Sequence, residues 1–336
     1  MSIDNNSADN SLLPWTLGQR PLMLAPMQGL TNSALRRLYL QEYQPDLVFT
    51  EFVRVQTRTR KRIARGDLAD LQDHPAMAPL VVQLIGNDPT ALADAARLVQ
   101  LGGCRHINLN LGCPYGRMTT GATGGELLRQ PQQLVLLLKA LRLACHGSFS
   151  VKCRAGYNDL NQWQSLLELF EDAGADFIIL HPRTVEQRYS GEADHRISAA
   201  LAEKSQLPVI ANGDLDCPLK ARNLLDQTAI AGLMIGRGAL ADPWIFQRIR
   251  GDAPLLVDPA ERRQQIGQFI RDLWPPYVQK FCGERQALMK IKDVLNFITA
   301  PDLQRELGKL KRTGSGGAFL DRLHRDFFLA GSISSP

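Results

Sequence analysis

The segment INLNLGCPYGRMTTGATGGELL, residues 107–128, carries one thiol, Cys113, between a glycine and a proline. An ordinary thiol has a pKa of about 8.5 and is mostly protonated at neutral pH, so it can act as a general acid without activation. Other residues able to do chemistry end short apolar runs. Lys152 and Arg154 stand two apart in SVKCR, and His181 and Arg183 two apart in FIILHPR. Lys152 and His181 are read as cations that would stabilise negative charge on a ligand. Gln83 and Asn110 can supply paired amide hydrogen bonds to a pyrimidine-like edge. Asn212, Gly213 and Asp214, with Gly236, Arg237 and Gly238, offer glycine-rich backbone and a counter-charge for one phosphate. Taken singly, Lys152 could pair with Glu51, and His181 could be a satisfied core histidine.

These residues share an origin in the elements that hold them. Eight apolar runs recur: LMLAP (22–26), DLVFTE (46–51), LVVQLIG (80–86), HINLNLG (106–112), SVKCR (150–154), FIILHPR (177–183), PVIANGD (208–214) and GLMIGRG (232–238). Each has the length and character of a parallel strand covered on both faces. Helix-like stretches lie between them, several opening on Asp, Asn or Pro and closing on Gly. The count of eight predicts an α/β fold, a (β/α)8 TIM barrel, in preference to a doubly wound sheet. Barrels of this kind carry their chemistry at the strand C-terminal ends. Pro26, Met27, Glu51, Gln83, Asn110, Lys152, His181, Asn212 and Arg237 all stand at or near such ends. GRGALA matches G-x-G-x-x-A, but it follows the last strand, so a mononucleotide phosphate fits it better than a dinucleotide.

The 336 residues are 44% hydrophobic and 22% charged, an ordinary globular composition. Residues 1–19 read as a disordered leader, 20–250 as the barrel, 251–258 as a linker and 259–330 as a small all-helical bundle. No run of about 18 apolar residues predicts a membrane span. The six cysteines show no metal-site or disulfide spacing, which points to a reducing cytoplasm and to no bound metal. Net charge is +5, and Arg54, Arg58, Arg60, Lys61, Arg62 and Arg65 occur in residues 54–65 without an acid among them. That run reads either as a solvated helix face or as a phosphate-contacting patch. In the tail, Lys290 and Lys292 could grip a nucleic-acid backbone.

LMLAPMQGLTNSALRRL, FTEFVRV, VVQLIGNDP, INLNLGCPYGRMTTGATGGELL, VKCRAGYND, LHPRTVEQRYSG, VIANGDL and LMIGRGAL, in this order, resemble the tRNA-dihydrouridine synthases over about residues 21–250. TEFVRV looks most like the DusC branch, which acts at position 16 of the tRNA D-loop. After GCP, where many members have a small residue and then lysines, this chain has Tyr115, Gly116 and Arg117; Arg117 takes the place of a phosphate-binding lysine. Strand six reads HPRT where HGRT or HART is commoner.

The resemblance implies FMN as cofactor, NADPH as reductant, tRNA as partner and a monomeric enzyme. It implies hydride transfer from flavin N5 to uridine C6, with Cys113 protonating C5. Pro26, Met27, Gln83, Asn110, Lys152, His181, Asn212, Gly213, Asp214, Gly236 and Arg237 would hold the flavin. Glu51, Arg54, Arg117, Arg154, Arg183, Lys290 and Lys292 would meet the tRNA. Arg154 and Arg183 could instead pair with Asp159, Glu186 or Asp214 and only hold loops. Gly121, Gly124 and Gly125 would let backbone approach the ligand and the loop move over an extruded base. The competing readings are an FMN barrel reductase for a small molecule, such as an ene-reductase or a dihydroorotate-dehydrogenase-like enzyme, a synthase for another tRNA position, and an RNA-binding protein on an inactive barrel.

Overall fold

The computed structural model describes residues 12–75, 77–115, 117–118 and 121–329. Eight parallel strands close a ring: β1 (Leu22–Leu24), β2 (Leu47–Phe49), β3 (Leu80–Ile85), β4 (His106–Leu111), β5 (Phe149–Gly156), β6 (Phe177–Thr184), β7 (Val209–Asn212) and β8 (Gly232–Ile235). Consecutive strands pair throughout, and β8 returns to β1 through Leu22 and Leu233. A two-residue fragment, Val53–Arg54, prolongs β2 along the end of β3. All eight apolar runs are strands, and the closed ring decides for the barrel over the doubly wound sheet.

Cap chemistry sets where the covering helices begin. The Asn32 side chain accepts the Ala34 and Leu35 N–H groups to open α1 (Ser33–Leu38). Asp88 caps α3 (Pro89–Leu101), which follows the short α2 (Arg65–Gln72) and carries proline in its first turn. The remaining crossovers are α4 (Pro131–Ala144), α5 (Trp163–Asp172), α6 (His195–Lys204) and α7 (Pro218–Gln227). After β8 the chain forms only a five-residue helix, α8 (Arg237–Ala241), and then α9 (Ile245–Arg250).

The strand period of two separates two cores. Along β6, Ile178 and Leu180 pack outward under the helices. Phe177 and Ile179 pack inward with Met23, Leu47, Phe49, Val81, Ile210 and Met234. The next inward positions toward the strand C-termini are then Gln83, His181 and Asn212. On β4 and β5 the outward set is Ile107, Leu109, Leu111, Val151 and Cys153. Asn108, Asn110, Ser150, Lys152 and Arg154 fall inward. The barrel is therefore apolar low down and polar at its mouth.

The leader expectation needs correction in its second half; residues 1–11 lie outside the described residues. Trp15 is buried and meets Phe177 edge-on at 4.8 Å, and Leu13 packs beside it. They close the N-terminal end of the inner core, because Phe177 at the start of β6 would otherwise face water.

Beyond the barrel lie α10 (Pro259–Lys280), α11 (Glu284–Leu295), α12 (Gln304–Lys311) and α13 (Gly316–His324). α10 docks on α1 and on the turn that follows it. There Phe269 meets Tyr39 at 6.0 Å and Tyr43 at 5.7 Å, both edge-on. Such pairs add about 0.5–1.5 kcal/mol each beyond area burial. Lys280 also reaches Asp70 of α2 at 2.6 Å. No helix among the described residues is long and apolar enough to cross a membrane.

Candidate active site

A chain of side-chain amides crosses the mouth. Ser150 Oγ accepts from Asn108 Nδ2, Asn108 Oδ1 from Gln83 Nε2, and Gln83 Oε1 from Asn110 Nδ2, each at 2.8 Å. Asn110 Oδ1 then accepts the backbone N–H groups of Gly112 at 3.1 Å and Cys113 at 3.0 Å. The expected pairing of Gln83 and Asn110 with a ligand edge thus needs correction: both carbonyl oxygens are taken by the protein. Each amide keeps one N–H to give. An unsatisfied amide here would cost about 1–3 kcal/mol, so the relay fixes the geometry of β3, β4 and β5 together. Its end is the turn that carries Cys113.

Cys113 lies beside the β5 cations. Asn110 is in register with Lys152, and Gly112 accepts from Arg154 Nε at 3.0 Å. Elsewhere in the barrel, burial pushes the Cys145 and Cys153 thiols up to about 12. Gly125 N–H donates to the Cys113 carbonyl at 3.0 Å. A Cβ on Gly125 would stand 2.6 Å from Val185 and 3.1 Å from that carbonyl. Gly124 and Gly125 therefore allow packing on the Cys113 turn rather than the approach of a ligand, which corrects the expectation for them; of the Gly121 environment nothing is described. Residues 117–118 and 121–122 pair as an antiparallel hairpin, and the Arg117 side chain lies outside the described residues.

Lys152 makes no hydrogen bond or ion pair among the described residues. Burial pushes its ammonium down to about 8, with repulsion from Arg154 adding to the fall. A partly buried ammonium without a partner at a barrel mouth is the feature of an anion-binding position. His181 is not the second cation that was expected. Burial first, then Lys152, Arg154 and Arg183, hold its pKa well below the usual value. Arg183 Nη1 lies 3.0 Å from His181 Nε2. Since a guanidinium can only donate, Nε2 accepts and the proton of the neutral ring sits on Nδ1.

Arg183 has all five N–H groups engaged. Nε donates to the Ser190 carbonyl at 3.3 Å, Nη1 to His181 and to Asp214 Oδ1 at 3.2 Å, and Nη2 to the Gly191 carbonyl and Asp214 Oδ2. It is spent on holding the loop after β6 to the end of β7, so its expected contact with substrate is corrected, and Asp214 is the partner among the three acids considered. Asp214 also takes the Ala193 N–H at 2.9 Å and faces Arg237 at 3.3 Å. Its expected role toward the flavin becomes that of a counter-charge between two arginines. Arg154 is tied by Nε to Gly112 and by Nη1 to the Thr184 carbonyl at 2.9 Å and the Arg188 carbonyl. No hydrogen-bond partner of its Nη2 stands among the described residues, and the side chain is buried.

The β7 and β8 ends meet β1. Asn212 Nδ2 donates to the Met234 carbonyl at 2.8 Å. Gly213, at φ +114°, has its Cα against His181, where a Cβ would stand 2.8 Å from the ring. His195 at the start of α6 holds the Gly213 carbonyl at 2.8 Å. Met27 Sδ lies 3.6 Å from where a Gly236 Cβ would stand, which brings Pro26 and Met27 to the same rim. No acceptor among the described residues meets the N–H of Gly213 or Gly236. These free donors, with Arg237 half-exposed, suit an oxyanion.

Two residues escaped the sequence reading. His195 is one. The other is Tyr189, an exposed ring with Arg237 at 5.0 Å, Arg154 at 5.4 Å and His181 at 6.4 Å. Its signal was an aromatic in a loop just past a predicted strand end.

The expected tRNA contacts are scattered. Glu51 Oε2 accepts the Gly29 N–H at 2.7 Å, and burial raises its pKa. Lys292 donates to the Thr313 carbonyl at 2.6 Å and so braces the tail instead of facing outward. Lys290 stands 3.5 Å from Asp293. Arg54 is exposed above the Phe52 ring at 5.5 Å. Residues 55–64 form a loop, not a helix face. An open cleft of about 660 Å³ beside the mouth is lined by Arg129, Tyr157, Asp159, Gln162 and Glu186 among others, and contains none of the strand-end residues.

Residues 23–327 match the dihydrouridine synthase (Dus) family. Among similar proteins, tRNA-dihydrouridine synthase B of Pseudomonas aeruginosa is 37% identical over 241 residues, 70% of each chain. A probable tRNA-dihydrouridine synthase of Rhodobacter capsulatus is 36% identical over 256 residues, 75% of this chain and 76% of its own. Among solved structures, TcOYE with pHBA superposes with a TM-score of 0.53 at 12% identity, over 75% of this chain and 95% of the other. Morphinone reductase gives 0.51 at 12% identity, over 72% and 88%. At that identity the two structures show the barrel fold alone. The match across barrel and tail, joined to the identity with the named synthases, places this chain in the dihydrouridine synthase family.

Proposed function

We propose that this protein reduces a D-loop uridine of tRNA to 5,6-dihydrouridine, acting as a monomer in the cytoplasm with bound FMN and with NADPH as reductant. The observation that carries the reading is the convergence of Cys113, Asn110 and an unpartnered Lys152 on one barrel mouth in a chain of this family. The donor set fits a flavin nucleotide: Gly213, Gly236 and Arg237 for the phosphate, and Lys152 with the spare amide N–H groups of Gln83 and Asn110 for the ring. When bound, the flavin supplies the hydride that reaches uridine C6.

The chain's own residues do the rest. Asn110 sets the position of the Cys113 turn. Cys113 delivers its proton to C5 from the face of the base opposite the flavin or from its edge. Lys152 holds positive charge against an electron-rich ring. Neutral His181 offers Nδ1–H as a donor. Arg154 Nη2 is free for a uracil oxygen, and the face of Tyr189 suits the stacking of an extruded base. Arg54, Glu51, Arg117 and Lys290 remain assigned to the tRNA surface.

For the target uridine we propose position 16, on the TEFVRV segment; the B designation of similar synthases does not favour that branch. Mass spectrometry of tRNA from a deletion strain, position by position, tests both the reaction and the site. If no dihydrouridine disappears, the reaction is not this one. Purified protein should absorb near 450 nm, roughly where oxidised flavin does. Turnover of a free enone or of orotate without tRNA would favour the small-molecule reading instead.

A further inference from the structure

Residues 55–64 form a loop whose construction separates one basic residue from the others. Arg62 turns inward. Its Nε pairs with Asp94 at 3.1 Å, and its Nη1 donates to the carbonyls of Thr57 and Thr59, each at 3.1 Å. The Gln56 N–H donates to the Arg62 carbonyl at 2.9 Å, and the single Thr59 hydroxyl proton has either Gln56 Oε1 or the Lys61 carbonyl as acceptor, both at 2.9 Å. The loop is thereby closed on itself. Arg58, Arg60 and Lys61 are left exposed, and none makes a hydrogen bond or ion pair through its side chain among the described residues. Three adjacent like charges on one tight loop repel each other, and the fold uses none of them.

The position of the loop adds to this. Its first residue, Val55, bonds the Ile85 carbonyl at 2.9 Å, two residues past Gln83 of the mouth relay. Its far end runs into α2, whose Asp70 pairs with Arg36 at 2.8 Å and with Lys280 of the helical tail at 2.6 Å. The cations therefore stand on the rim between the mouth and the tail, on a loop held at both ends.

We infer that the 55–64 loop is a phosphate clasp that grips the RNA strand next to the reactive uridine through Arg58, Arg60 and Lys61, with Arg62 as the internal fastener. This rests on tRNA being the substrate. Phosphate contacts carry affinity without reading sequence, and each neutralised phosphate adds about 0.7–0.9 to the slope of log affinity against log salt. The clasp thus sets how firmly the strand is held, not which base is reduced.

The experiment is a titration of unmodified tRNA at several salt concentrations with three proteins: wild type, the neutral triple variant Arg58→Gln, Arg60→Gln, Lys61→Gln, and the charge-preserving variant Arg58→Lys, Arg60→Lys, Lys61→Arg. The neutral variant should bind about ten-fold more weakly at low salt, with a slope shallower by about 2. The charge-preserving variant should keep the slope. Thermal melts should overlay the wild type for the charge-preserving variant and lie at or slightly above it for the neutral one, because none of the three side chains is used in folding and their mutual repulsion is relieved. An unchanged slope in the neutral variant, with dihydrouridine still formed, overturns the clasp alone. So does an equal loss in the charge-preserving variant. If wild-type protein forms no dihydrouridine, the functional reading fails first and takes the clasp with it.

Discussion

The Asn110 side-chain oxygen accepts the backbone N–H of Cys113 at 3.0 Å, and the amide nitrogen of the same residue is anchored on Gln83. One strand-end asparagine thus ties the proposed proton donor to the barrel wall. Cys113→Ala should keep flavin binding and NADPH oxidation but lower uridine reduction by about 10²–10⁴-fold, the usual size of a general-acid contribution. Asn110→Ala should give a smaller loss in the same step. Single-turnover assays with pre-reduced protein and tRNA separate the two half-reactions, and undiminished reduction by Cys113→Ala would remove the thiol from the acid role.

Lys152 sets up an opposition between stability and function. Its pKa falls from 10.5 to about 8, by burial first and by Arg154 second. In the unfolded chain it keeps its proton to about pH 10.4. Between these values the unfolded state binds more protons, so stability rises with pH through that window and the buried charge is a liability below it. Lys152→Met should therefore stabilise flavin-free protein at pH 7 by on the order of 1–3 kcal/mol, read as a higher melting temperature, and flatten the rise above about pH 8. The same change should weaken flavin binding. A fall in melting temperature at pH 7 would show that the ammonium is not strained.

The Arg183–Asp214 pair is the opposite case. Burial works against the Asp214 charge, but Arg183, the Ala193 N–H and Arg237 outweigh it and hold the carboxyl below its usual range. Stabilisation from this group is complete above the unfolded carboxyl pKa of about 3.9 and fades as pH falls through the lower folded value. Asp214→Asn should cost about 2–4 kcal/mol at pH 7, because it leaves the buried Arg183 charge under-compensated. The deficit should shrink at pH 3. Urea melts at the two pH values measure it, and an equal deficit at both would mean that packing, not charge, holds the loop.

Gly125 gives a steric test of the Cys113 turn. A methyl there would stand 2.6 Å from Val185 and 3.1 Å from the Cys113 carbonyl. Gly125→Ala should lower tRNA reduction by at least about ten-fold, since misplacing a reacting group by about 1 Å can cost 10²-fold. Val185→Ala in the same chain should restore part of the rate by making room. If the double variant is no better than the single one, the displaced turn is not the cause.

The strands were legible because each is a short apolar run with turn residues at its ends, and the inward polar set followed from period two. What was illegible depends on side chains meeting across long stretches of sequence. Arg183 and Asp214 are 31 residues apart, and nothing in HPRT selects Asp214 over Asp159 or Glu186. The basic run was open to a helical reading because Arg and Lys are good helix formers. Its loop form depends on Arg62 finding Asp94, 32 residues on. His181 was taken for a cation because the sequence shows a titratable ring but neither the burial nor the positive neighbours Lys152, Arg154 and Arg183 that hold it neutral.

Trp15 precedes the family-matched span that starts at residue 23, yet it stops the lower opening of the barrel against Phe177. A chain cut back to that span would leave the underside of the barrel unplugged. Water would then reach Phe177 and the inner residues above it, and solvent would have a second way in besides the rim where the chemistry is set.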